Sequence, residues 1–206
     1  MRDEPGPAAD KLRTLRATVE NALANDLATT AVWYADKLAT LSNGAVEDVL
    51  LLARAFAASG DPARAARALE PQLATSNSRT PVAQFGRGAT SATAPPELRA
   101  RLLAARCLER TGKHEACAAA LEPALADVAA ADDGELPGRS SLLGEPAPPG
   151  CVDLGAAACA LVGMAYEALE NRPRAVAWLV RALRLDAGCA DALTFLVERR
   201  LLGASE

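Results

Sequence analysis

A spacing of 34 residues constrains this chain more than anything else in it. The run Cys159-x2-Val162-Gly163-x2-Tyr166, followed by Ala175-x3-Leu179, Ala182 and Ala187, sets small and large apolar residues at helical intervals on two successive segments. The pattern resumes at Ala190, 34 residues after Ala156, with Leu193-x2-Leu196-Val197. A helix pair this short cannot bury its apolar face alone, so it must stack on copies of itself, and the stacked surface then becomes available to hold another protein.

The same template fits upstream. Val49-x2-Leu52-Ala53-x2-Phe56 leads into Ala65-x3-Leu69, and Ser59-Gly60-Asp61-Pro62 has the chemistry of the turn between them. Gly60 can take the left-handed conformation that ends a helix, Asp61 can cap the next, and Pro62 suits its first position. Leu15-x2-Thr18-Val19-x2-Ala22 with Ala31-x3-Ala35 makes a weaker copy, ended by Asn43-Gly44. Arg101-x2-Ala104-Ala105-x2-Leu108 with Cys117-x3-Leu121 makes another, turning at Thr111-Gly112-Lys113. This is the rhythm of the tetratricopeptide (TPR) repeat, a helix-turn-helix unit.

The starts fall at 12, 46, 98, 156 and 190, so two of the intervals exceed the period, and the excess lies where composition shifts to Ser, Thr, Gly, Asp and Pro. The expected organisation is a disordered leader over 1–11 and a helical array over 12–206. Within it, repeats lie near 12–45, 46–75, 98–127 and 156–189, a partial one at 190–206, and irregular loops at 76–96 and 130–150. The predicted fold class is all-α: TPR-type helical hairpins forming an α-solenoid, with two inserted loops and no sheet. Composition agrees, since Ala and Leu supply 49 and 30 residues, Ile is absent and aromatics make up 3%. Trp33, Tyr34 and Trp178 fall on second helices, where packing within or between repeats is expected.

A net charge of −4 gives no broad electropositive field, which argues against nucleic acid as the partner. The apolar stretches are broken by charges well short of the ~20 residues that span a bilayer, and Met1 to Pro7 does not open like a secretory signal, so no membrane role is expected. Five cysteines, Cys107, Cys117, Cys151, Cys159 and Cys189, form an odd set without a C-x2-C pair. Three sit on apolar helical faces as small hydrophobes, which fits a reducing, intracellular compartment.

No residue set meets the needs of an active site, a cofactor site or a metal site. His114 is the one histidine, placed at a helix–helix turn without a second ligand at metal spacing. Gly86-Arg87-Gly88 lacks the Lys-Ser/Thr of a phosphate loop, and Asp132-Asp133-Gly134-Glu135 lacks the alternation of a calcium loop. Thr80-Pro81 could accept phosphate from a proline-directed kinase. The stronger candidates are for partner binding. Arg54, Arg99 and Arg106 fall on first helices, at positions that such arrays turn toward the concave groove; they read either as forks for a partner's carboxylates or as solvated charges. Leu12, Leu15, Val19 and Leu23 form a helical stripe at the open end of the array, where a partner could bury them or a polar face could cap them.

Four blocks then carry a closer resemblance. Ala31-Val32-Trp33-Tyr34-Ala35-Asp36-Lys37-Leu38-Ala39-Thr40-Leu41-Ser42 with Glu47 to Ala53 is one, and Leu102-Leu103-Ala104-Ala105-Arg106-Cys107 is another. Ala165 to Arg172, followed by Ala182-Leu183-Arg184-Leu185-Asp186, supplies the rest. In this order, and with this irregular spacing, the chain from about Leu12 to Leu202 resembles the N-terminal TPR region of the family of the sixth subunit of the anaphase-promoting complex, or cyclosome. The two Ser/Pro/Gly-rich insertions depart from it. The resemblance implies a non-catalytic scaffold of a cell-cycle ubiquitin ligase, found in nucleus and cytoplasm. Its implied partners are a second copy of itself, bound through the N-terminal repeats, and the complex's other TPR subunits. The alternatives are a free-standing helical adaptor and, further off, a helical enzyme using His114 and a cysteine.

Overall fold

The computed structural model describes residues 7–76, 90–130, 148 and 150–201. Helices α1 (Pro7–Ala24) and α2 (Ala28–Leu41) form the first hairpin, and α3 (Val46–Ala58) and α4 (Pro62–Ser76) the second. In the third, α5 (Pro96–Arg110) is followed by α6 (His114–Leu121), a 3-10 turn over Glu122–Leu125 and the short α7 (Ala126–Ala130). The fourth pairs α8 (Leu154–Ala168) with α9 (Arg172–Leu185), and α10 (Ala190–Glu198) follows as a first helix. No strand occurs among the described residues. Each hairpin packs on the next, and the first helices α1, α3, α5, α8 and α10 also touch one another in that order. That arrangement is an α-solenoid of TPR type.

One turn is built repeatedly from different residues. The N–H of Leu27 reaches back to Ala22 O at 2.9 Å, Asp61 to Phe56 O at 3.0 Å, Lys113 to Leu108 O at 2.9 Å, and Asn171 to Tyr166 O at 2.9 Å. This bond requires a left-handed residue just before the donor. Gly60 (φ 84°) and Gly112 (φ 74°) adopt that conformation freely, whereas Asp26 (φ 57°) and Glu170 (φ 59°) adopt it at a cost of about 1–2 kcal/mol each. Asp61 then caps α4 by accepting from Arg64 N at 3.0 Å, and Asn171 caps α9 by accepting from Arg174 N at 3.3 Å.

Three apolar clusters follow one another along the stack. The first joins Val19, Ala31, Leu38, Leu51 and Ala55; the second joins Leu50, Ala53, Phe56, Leu69, Ala104 and Cys107. The third runs from Leu98 through Leu121, Val162 and Leu179 to Leu196. Close approach is sharpest at Gly163, where an added Cβ would lie 2.7 Å from Leu179 Cγ.

The structure departs from the sequence expectations in four places. Helix α1 begins at Pro7, inside the segment expected to be a disordered leader: proline loses nothing at a first turn, where its N–H would be unpaired anyway, and Asp10 favours the positive end of the helix. Helix α5 begins at Pro96 for the same reason, two residues before the expected repeat start. Pro123 interrupts the second helix of the third hairpin, and its neighbour Glu122 accepts a hydrogen bond from the Tyr166 hydroxyl of α8. Finally, Trp178 is buried as expected but Trp33 is 58% exposed, so Trp33 is not a core residue. The expectations on Thr80-Pro81, Gly86-Arg87-Gly88, Asp132 to Glu135 and Leu202 lie outside the described residues.

Candidate functional site: an arginine-lined groove

Helical register sorts the α5 side chains into two sets. Ala100, Ala104, Ala105 and Cys107 are buried, together with Arg101, which is 2% exposed and donates to Ala120 O at 3.1 Å. Arg99, Leu102, Leu103 and Arg106 face a groove that is completed by Leu50 and Arg54 of α3, Leu154 at the start of α8, and Ser91 from the segment before α5. The three arginines singled out by their repeat positions therefore converge on one concavity of about 260 Å³.

Their electrostatic situations differ. Arg54 and Arg106 are exposed and take part in no hydrogen bond or ion pair among the described residues. Arg99 is partly buried; its Nη2 lies 3.8 Å from Glu47 Oε1, and its Nε has no acceptor among the described residues. A guanidinium fork matches a carboxylate in planar, two-point fashion, and three forks over a leucine-lined floor suit a segment with acidic and apolar side chains.

Nothing in the groove resembles a catalytic constellation. His114 lines a separate hollow with Lys113, Glu115 and Leu169. The cysteines are free; burial pushes the Cys117 thiol up to about 12 and raises those of Cys107, Cys159 and Cys189, which suppresses the reactive thiolate. Among the described residues no group of three or more His, Cys, Asp or Glu is placed to hold a metal ion, and no helix is long and apolar enough to cross a membrane.

The N-terminal stripe has a different place from the one expected. Val19 is 0% exposed inside the first cluster, which removes it from any partner surface, while Leu12, Leu15 and Leu23 pack against that cluster and stay partly exposed. The stripe faces α2 and α3 because those helices offer the nearest apolar surface. Sequence reasoning also missed the pair that fixes α1 to the array. Arg16 Nε and Nη2 donate to the two carboxylate oxygens of Asp48 at 2.6 and 2.8 Å. Burial alone would raise the Asp48 pKa, but the hydrogen bonds from Arg16 and Ser42 and the charge of Arg16 outweigh it and hold the carboxyl below its usual range.

No known family profile matches the chain. Anaphase-promoting complex subunit 6 of Arabidopsis thaliana is 27% identical over 201 residues, covering 96% of this chain and 33% of that protein. The chain thus spans about a third of the curated relative it matches. In the crystal structure of the APC/C hetero-tetramer Cut9–Hcn1, a chain superposes with a TM-score of 0.65 at 25% identity, over 95% of this chain and 30% of that one. MamA of Desulfovibrio magneticus RS-1 superposes with a TM-score of 0.59 at 17% identity, over 93% of this chain and 96% of that one, a likeness of fold alone. The chain is a TPR solenoid similar to subunits of the anaphase-promoting complex.

Proposed function

We propose that this chain is a non-catalytic scaffold in an anaphase-promoting complex/cyclosome type of ubiquitin ligase. It would act in cell-cycle control in nucleus and cytoplasm, pair with a second copy of itself through its N-terminal repeats and contact other TPR subunits. The observation that supports this reading is the likeness to subunit 6, 27% identical over 201 residues and 96% of the chain.

In physical terms the scaffold needs only rigidity and surface. Rigidity comes from the buried small residues Ala31, Ala53, Ala105 and Ala175, which let helices approach closely, and from the Arg16–Asp48 pair. Surface for a second copy comes from the exposed parts of Leu12, Leu15 and Leu23 together with Trp33. A self-complementary contact closes after two copies. The free-standing helical adaptor, binding an unrelated protein or peptide, is the second reading.

Sedimentation velocity of the intact chain over a range of concentrations separates the two readings. The scaffold reading expects a species of twice 21.3 kDa that dissociates on dilution and is weakened by Leu12→Gln with Trp33→Ser. A monomer up to ~100 µM, a concentration at which even weak specific dimers form, would remove the homodimer and favour the adaptor.

A further inference from the structure

We propose that the outer face of α2 is a docking site for an amphipathic helix of another protein, one whose apolar stripe is interrupted by a single carboxylate. Helix α2 packs on α1 and α3 and turns its remaining side outward. Three of the large apolar residues exposed among the described residues belong to it or to its N-cap: Leu27 at 53%, Trp33 at 58% and Leu41 at 52%. Single exposed leucines are ordinary; their spacing here is not. At ~100° per residue, Leu27, Thr30, Tyr34, Lys37 and Leu41 fall within about 80° of arc, in alternating steps of three and four residues. That is the narrow seam, repeating every ~3.5 residues, by which one helix lies along another.

Shape and charge select the occupant. The face is a helical ridge whose backbone groups are already paired within α2, so it offers an extended segment no strand to join, whereas a second helix can lay its own ridge beside it. Trp33 borders the stripe next to Lys37, and its indole is held in place: the Tyr34 ring meets it edge-on at 4.8 Å, and Lys37 Nζ lies 5.4 Å from its centroid. An aromatic side chain fixed in this way loses little freedom on binding, which suits it as an anchor. Lys37 sets the chemistry. It lies within the stripe and is exposed, and its ammonium forms no ion pair or hydrogen bond among the described residues. An apolar partner laid over it would strand the charge, so the partner helix must bring a carboxylate opposite it. From Leu27 to Leu41 the seam runs ~21 Å at ~1.5 Å per residue, room for about four turns of partner helix. A contact of that length belongs with small, transient interfaces. The site does not depend on the proposed second copy, with which it shares only Trp33.

The probe is a fluorescein-labelled, helix-forming peptide, SELAKEAQKLAELAKQLK, whose third, sixth, tenth, thirteenth and seventeenth positions carry the matching seam. Its acid at the sixth position meets Lys37 when the two helices run antiparallel, and the twin SELAKKAQKLAELAKQLK has lysine there instead. Titrated by anisotropy with the full chain, the first peptide should saturate with a Kd of roughly 10–500 µM, at least fivefold tighter than the twin. The twin is the more positive peptide and the chain carries a net charge of −4, so non-specific attraction would order the two the other way. Lys37→Glu should exchange the preference. Leu41→Gln should weaken binding at least fivefold, whereas Leu193→Gln, at a similarly exposed apolar residue on α10, should leave it unaltered. Because residues 37 and 41 are exposed, helicity by circular dichroism should match the parent in both variants. Equal binding of the two peptides, an unexchanged preference in Lys37→Glu, equal losses in Leu41→Gln and Leu193→Gln, or no saturation up to ~1 mM would overturn the proposal. Sedimentation of the same variants reports self-association, and none of them alters Leu12 or Trp33, so the failure of one reading is not mistaken for failure of the other.

Discussion

Replacing Gly163 by alanine sets two opposed effects against each other. Residue 163 lies inside α8, where alanine is intrinsically favoured over glycine by about 1 kcal/mol. The new methyl, however, would sit 2.7 Å from Leu179 Cγ, 3.0 Å from Leu179 Cδ2 and 3.1 Å from the Ala175 carbonyl oxygen. None of these yields cheaply, since Leu179 is wholly buried and the Ala175 oxygen belongs to the backbone of α9. Overpacking of this kind costs ~1–3 kcal/mol, and with a branch carbon and a carbonyl both in the way the upper half of that range applies. Subtracting the propensity gain leaves a net loss of roughly 1–2 kcal/mol for Gly163→Ala. Urea unfolding followed by circular dichroism at helix wavelengths measures it, provided the slope of the transition matches that of the parent. A variant as stable as the parent, or more so, would refute the idea that α8 and α9 touch through the bare backbone.

Two further changes test the ends of the array. Arg16→Met should cost about 2–4 kcal/mol at pH 7, toward the low end for a broken buried pair because Arg16 itself is partly exposed. Since the folded-state pKa of Asp48 is lowered, the pair's stabilisation is present above the unfolded value of ~3.9 and is lost as pH falls through the folded one. The gap between parent and variant in urea should therefore close as the pH falls below the unfolded value of ~3.9, and a pH-independent gap would rule out this origin. With a disulfide-exchanging thiol reagent, exposed Cys151 should react at once and Cys189 more slowly, while Cys107, Cys117 and Cys159 react only on unfolding; mass spectrometry of the labelled chain identifies the order.

Much of this fold was legible because its signals are local. Gly60-Asp61-Pro62 states the turn, the cap and the first helical position in three consecutive residues, and the apolar intervals around Val162 and Leu179 are those of packed helices. The convergence of Arg54, Arg99 and Arg106 was legible for a related reason: in a stacked array, equivalent positions of first helices share one surface. The Arg16–Asp48 pair was not, because its partners are 32 residues apart and no local pattern links a charge on α1 to a carboxylate on α3. Trp33 misled for a similar reason. Its helix is amphipathic, but which neighbour covers which face depends on how α1 and α3 flank α2, and they leave the indole outside. The Val19 stripe is the converse case, since apolar spacing identifies a buried face without saying whether a partner or the chain's own next helix buries it.

Helices α3 and α5 each contribute to two of the three apolar clusters. Helix α3 gives Leu51 and Ala55 to the first and Leu50, Ala53 and Phe56 to the second, while α5 gives Ala104 and Cys107 to the second and Leu98 and Leu102 to the third. Folding can therefore begin at any hairpin and spread by short-range loop closure, as in other low-contact-order arrays, with these two helices as the relay points. Fraying from either end must likewise pass through them, so the slowest amide hydrogen exchange belongs in α3, α5 and α8 and the fastest in α1 and α10. Any ligand that grips α3 and α5 at once would brace both relays and convert a chain that frays in stages into one that opens as a unit.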